Sequence, residues 1–207
     1  MNAPPVRSLS RLVAVPILAL ITGTSLAHAS RVRPVNLEQM TQRADRVFAG
    51  RCVDVRTLKD PELGQVVTQV TFAVQRRAKG DLGGTVTIKL LGELDMDDRG
   101  ARPPAGLPGF RKGEEVVLFL YGDSRHGLTA PVGLGQGKFT IVKDPKGRPI
   151  ALNGRGNQGL LAGLSPEAEQ RLGAAAEPWR DRRDLPSGSL LDMVERLERG
   201  ERGEVAP

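Results

Sequence analysis

The stretch PGFRKGEEVVLFLYGD, residues 108–123, decides the fold. Read with the two-residue period of a strand, it places Val116, Leu118 and Leu120 on one face and Val117, Phe119 and Tyr121 on the other. Both faces are apolar, so both must be covered, and such a strand lies inside a sheet or beneath another segment. It is entered through a Gly-rich, basic turn in which Phe110 reads either as core or as part of a surface rim. Arg111 and Lys112 beside it would give an aromatic anchor a basic border for a partner.

Upstream, VNLEQMTQRAD (35–45) predicts a brief helix with Asn36 as N-cap and Gln39 three positions on as its reciprocal partner. RVFAGRCVDV (46–55) is rich in strand formers, and LKDPELGQ (58–65) is turn-forming. VVTQVTFAVQR (66–76) alternates, with Val66, Val70, Phe72 and Val74 on one face and Gln69, Thr71 and Gln75 on the other. TVTIKL (85–90) repeats the pattern with Val86, Ile88 and Leu90 inward, so these two runs predict an antiparallel pair.

Downstream of the pair, GELDMDDRGARPPAGLPGFRKG (92–113) is long for a simple connection, and loops of that length are often functional. Its Glu93, Asp95, Asp97 and Asp98 supply clustered oxygen ligands of a type that suits calcium, without the order of an EF-hand; the plainer reading is a solvated acidic loop. GLGQGKF (133–139) lacks the spacing of a phosphate loop and precedes a strand, so its glycines predict a bulge or a close crossing. GKFTIVKDPKGRPIAL (137–152) predicts a hairpin turning at Asp144–Gly147.

Beyond it the pattern fades. Residues 154–188 are rich in Gly, Ala, Arg and Pro without sustained periodicity and predict a loosely packed linker. SLLDMVERLERGE then carries Leu190, Leu191, Val194 and Leu197 at helical spacing, an amphipathic helix over 189–200 capped near Ser189 and Asp192, which either docks on the sheet or binds a partner.

The first 29 residues predict the compartment. Arg7 and Arg11 precede a mainly apolar run from Leu12 to Leu26, and Ala27-His28-Ala29 fits a signal-peptidase site. The run is interrupted by Pro16 and Gly23 and falls short of the roughly 20 residues a membrane span needs. The expected product is an extracytoplasmic protein, periplasmic or secreted, without a membrane span. Loss of Arg7 and Arg11 leaves 28 bases against 24 acids, a net charge of +4 instead of +6. With 3% aromatic residues and dispersed basic pairs, the composition argues against a nucleic-acid surface. Cys52 is the sole cysteine, so no internal disulfide forms; it reads as a small buried hydrophobe, with a reactive or bridging thiol as the other option.

Taken together, five or six short strands and Gly-marked turns over 30–153 fit a small antiparallel β-barrel. The runs ADRVFAGRCVDV, VTFAVQRRAKGDLGGTVTIKL and FRKGEEVVLFLY resemble the netrin-like domains and the tissue inhibitors of metalloproteinases over roughly residues 40–143. That resemblance implies a mainly β fold, an OB-fold-like barrel with a short N-terminal helix. It also implies an extracytoplasmic protein partner, a protease being the partner class it suggests. The inhibitors engage zinc through an N-terminal cysteine in a Cys-x-Cys pattern; a chain starting SRVRPV offers none, so the inhibitory chemistry does not transfer.

Catalysis is poorly supplied. Apart from His28 the only histidine is His126, in GDSRHGL, where it stands two residues from Ser124. A hydrolase built on Ser124/His126 or on a loop metal is one alternative, and a structural envelope protein assembling through Cys52 or the terminal helix is another. The leading expectation is a non-catalytic, cofactor-free binding or inhibitor-like module that uses a barrel face or the 92–113 loop.

Overall fold

The first helix is set by one side chain: Asn36 Oδ1 accepts a hydrogen bond from Gln39 N at 2.9 Å, supplying the cap its position foretells. A computed structural model describes residues 33–97, 103–104 and 106–203. The expected signal peptide, residues 1–29, lies outside them, as does Asp98. The elements are α1 (Leu37–Arg43), β1 (Arg46–Lys59), β2 (Val66–Lys79), β3 (Thr85–Leu91), β4 (Glu115–Leu120), β5 (Lys138–Lys143), β6 (Pro149–Asn153), α2 (Pro166–Leu172) and α3 (Ser187–Gly203). All six strands join one antiparallel sheet in the order β3-β2-β1-β4-β5-β6.

The alternation of β4 sorts its side chains into two cores. Val117 and Phe119 pack with Leu37 and Met40 of α1, Ala168 and Leu172 of α2, and Leu190, Val194 and Leu197 of α3. Val116, Leu118 and Leu120 pack on the opposite face with Phe48, Phe72, Ile88, Leu90, Leu94 and Phe110. Helices therefore cover one face, while the other is enclosed by the sheet's own curl and by the connection from β3 to β4. Edge-to-face contacts run from Phe48 to Phe72 (5.6 Å) and from Phe72 to Phe110 (6.0 Å), geometry that adds directional attraction to area burial.

The expected barrel does not close. β4 divides its outer edge: residues 116–118 pair with β5, and beyond them Val132 N donates to Phe119 O (2.8 Å) and Tyr121 N to Ala130 O (3.0 Å). The segment 128–131 meets β3 only through an isolated bridge between Lys89 and Leu128 and meets β4 through another between Leu120 and Pro131. A segment with a proline at its end has no N–H there to continue a ladder, so the seam consists of single bridges. Three register shifts interrupt the pairing of β1 with β2, irregularities of the kind that bend a strand locally.

Residues 154–188 are not a linker. They contain α2 and bury Leu160, Leu161, Ala168, Leu172, Ala176 and Leu185 in the helical core. Asn157 anchors them, with Nδ2 donating to Ala151 O (2.7 Å) and Arg183 O (2.8 Å) from a left-handed backbone at φ 62°. Ser165 caps α2 and is itself held by Glu38, whose Oε2 accepts from Ser165 N at 2.8 Å. The terminal helix begins at Ser187, two residues before the expected start, so Ser189 lies inside it; Asp192 instead pairs with Arg76 of β2 at 2.7 Å. Its apolar stripe is docked. Among the described residues no helix is long and apolar enough to cross a membrane.

One turn glycine carries a prediction. Gly80, ending β2, has φ 83°, and a Cβ there would stand 2.6 Å from the Asp45 carbonyl oxygen. Gly80→Ala combines left-handed strain with a backbone clash and is expected to cost about 2 kcal/mol. A thermal melt should show the midpoint lowered by about 4–8 °C.

Candidate functional site

A recess opens on the sheet face that the β3–β4 connection covers. Where β3 ends, Leu90, Leu91, Gly92 and Leu94 form one wall of a recess of about 250 Å³; Pro104, Leu107 and Pro108 form a second, and Thr129–Pro131 a third. Leu91 is 52% exposed at the mouth, and Tyr121, just past the end of β4, is 39% exposed. The backbone of the third wall is fixed: Thr129 N donates to Lys89 O (2.9 Å) and Thr129 Oγ1 to Tyr121 O (2.6 Å). Because those groups pair with each other, the recess presents carbon rather than hydrogen-bonding atoms.

Below it the entry turn to β4 is tied at several points. Phe110 N donates to Leu94 O and Met96 N to Phe110 O, both at 2.8 Å. Lys138 Nζ reaches in from β5, donating to Gly109 O (2.6 Å) and Glu114 Oε2 (2.9 Å), 4.6 Å from the centre of the Phe110 ring. Glu114 Oε1 accepts from Arg111 N at 3.0 Å, and Gly113 N donates to Cys52 O at 2.7 Å. Burial pulls the Lys138 amine below its usual value, although the Glu114 carboxylate opposes this.

Phe110, weighed as anchor or core, is fully buried against Phe72 and offers nothing to a partner. Arg111 and Lys112 are exposed beside it, at a turn that has no exposed aromatic residue of its own. Cys52 is 1% exposed, and burial, reinforced by Glu114, pushes its thiol up to about 11. It is a buried thiol facing the Asp54 carbonyl at 3.7 Å, which disfavours assembly through a disulfide. Ellman's reagent at pH 8 should therefore leave it unmodified in the native protein and react fully in guanidinium; a fast native reaction would contradict the burial.

The structure does not bring Ser124 and His126 together as a nucleophile and base. Ser124 Oγ accepts from the backbone N–H groups of His126 (3.3 Å) and Leu128 (3.1 Å), closing a turn, while His126 Nε2 accepts from Arg125 Nε at 2.9 Å. The acidic residues serve turns as well: Asp95 Oδ1 accepts from Asp97 N (2.9 Å) and Asp97 Oδ2 from Lys112 N (2.8 Å). Among the described residues no group of three or more His, Cys, Asp or Glu side chains is placed to hold a metal ion.

No protein-family model matches the chain, and no curated protein does. The site therefore rests on its own geometry. Sequence reading found the 92–113 connection but missed its most organised features. Glu114 and Lys138 lie 24 residues apart, and the recess draws its walls from three separated segments.

Proposed function

We propose that this chain is an exported, non-catalytic binding module whose partner is an extracytoplasmic protein, and that its curled sheet is of the OB type found in netrin-like domains. The observation that carries the reading is the carbon-lined recess at the sheet's open seam, bounded by a connection whose lower half is pinned by Lys138 and Glu114. A preformed apolar concavity with an exposed leucine at its lip is what a protein contact uses for an anchor residue. The OB reading is supported by the segment 128–131, which lies between β3 and β4 as a closing element would. A protease as partner follows from the resemblance alone.

The test fills the recess. Ala130 lines it, and Ala130→Phe would occupy the space without touching the pinned turn. Immobilised protein and the variant are exposed to extracytoplasmic proteins of the source, and retained species are identified by mass spectrometry. One reproducible partner held by the parent and lost by the variant is the expected result. A partner retained equally by both would move binding away from this site, and an empty parent lane would remove the reading. Intact mass of the exported protein should place its N-terminus at Ser30.

A further inference from the structure

The segment that enters α1 is held by residues far along the chain. Gln136, 4% exposed, brackets it: Oε1 accepts from Val35 N at 3.0 Å, and Nε2 donates to Arg33 O at 3.0 Å. Pro34 between them has a fixed φ and no N–H, so the bracket grips a stiff tripeptide. Directly after it, Asn36 Nδ2 donates to Ala162 O (3.0 Å) and Gly163 O (2.9 Å), and Leu37 N donates to Leu160 O at 2.7 Å. Val35, Asn36 and Leu37 are all buried. These partners lie between 101 and 127 residues downstream, so the anchorage forms only after most of the chain has been made. In the sequence the expected cleavage point after Ala29 is close by: Ser30, Arg31 and Val32 alone separate Ala29 from Arg33. Three extended residues reach about 10 Å. A protease takes its substrate as an exposed, extended strand on both sides of the bond, and cutting a folded chain waits on local opening.

We infer that folding closes the protein's own processing site: the signal peptide is removable before Gln136 and the 160–163 segment engage residues 33–37, and a chain that folds first keeps it. This rests on the export part of the proposed function and adds an order of events to it. While the anchoring segments are still to come, the residues around Ala29 have nothing in the fold to hold their flank; once the anchorage forms, the bond is a substrate only in the fraction of molecules whose entry segment has opened. The reaction is ordinary hydrolysis by a signal peptidase: water adds across the Ala29–Ser30 amide, leaving a carboxylate on Ala29 and an amine on Ser30.

The test offers three substrates to a purified signal peptidase of the source in a non-ionic detergent, with products followed by intact mass. They are the folded full-length chain, the same chain with a flexible Gly-Ser spacer of about eight residues inserted between Val32 and Arg33, and a peptide of residues 1–36. Equal thermal melts of the two chains establish that the spacer leaves the fold intact. Peptide and spacer chain are expected to be cut after Ala29 at similar rates, and the parent at least about ten-fold more slowly, since only its opened fraction reacts. Gln136→Ala, which releases Arg33 and Val35 and leaves Asn36 as the first anchor, should raise the parent's rate toward that of the spacer chain. A folded parent cut as fast as the spacer chain overturns the inference and leaves the export reading in place. A spacer chain as resistant as the parent, with the peptide cut, overturns it as well, because nearness of the fold would not be what protects the bond. A peptide left uncut after Ala29 removes the signal-peptide reading, and this inference with it.

Discussion

Glu114→Gln is expected to destabilise the protein by about 3 kcal/mol, the lower end of the cost of removing one partner from a buried ion pair. The Lys138 side chain is 8% exposed and Glu114 14%, so the amine left behind can neither reach bulk water nor find another carboxylate within the turn. The loss should depend on pH in a definite direction. Lys138 in the folded protein already has a lowered value because of burial, and Glu114 is the main opposing influence. Without that carboxylate the folded value falls further below the unfolded one, about 10.4. Between the two values the unfolded chain binds more protons than the folded one, so stability rises with pH across that window. The deficit of Glu114→Gln is therefore largest at neutral pH and shrinks toward pH 10, where a neutral amine still donates to Gly109 O. Urea melts of parent and variant at pH 7 and pH 9.5 measure it. A second variant separates charge from packing: Glu114→Gln with Lys138→Met removes both charges and should recover most of the loss, since apolar replacement of a whole buried pair is often nearly neutral. A deficit that is the same at both pH values, and unrelieved in the double variant, would mean that the ion pair is not what the substitution costs.

The contrast between this pair and the strands shows what the sequence made legible. Val70, Phe72, Ile88 and Leu90 lie inward as their alternation requires, because a two-residue period is a local signal that survives folding. Val66, at the same phase, is 45% exposed, since the pattern reports a face and not where along the strand its cover ends. Lys138 shares a phase with Thr140 and Val142, so alternation alone places it on a polar face; only the curl of β1–β3 turns that face into a closed interior at one end. Residues 154–188 were unreadable for another reason. Leu160, Leu161, Leu172 and Leu185 are buried from turns and a single short helix, without a period, and the hydrogen bonds fixing them come from Asn157, a type that composition assigns to loops. The terminal helix was visible because Leu190, Leu191, Val194 and Leu197 recur at helical spacing, though its start shifted to Ser187.

A chain ending at Pro186 is expected not to fold. The docked α3 buries Leu190, Leu191, Met193, Val194 and Leu197, each at most 3% exposed, against α1, α2 and the sheet. Each such burial contributes about 1.5–3 kcal/mol, so the five together match the roughly 5–15 kcal/mol by which a domain of this size is stable. The truncation also removes the carboxylates that hold β2: Glu195 on Arg76 at 2.7 Å and Glu198 on Lys79 at 2.8 Å. Near-UV circular dichroism should be lost and thermal unfolding should cease to be cooperative, whereas truncation of an appended tail would shift the midpoint by a few degrees at most. The outcome bears on function, because a helix whose apolar face completes the core has no apolar face left for a partner. If the shortened chain still melts cooperatively near the parent's temperature, α3 is dispensable to the core and becomes a second candidate for partner binding. If it unfolds, α3 belongs to the core, and the recess beside Leu91 on the other face of the sheet stays the proposed contact surface.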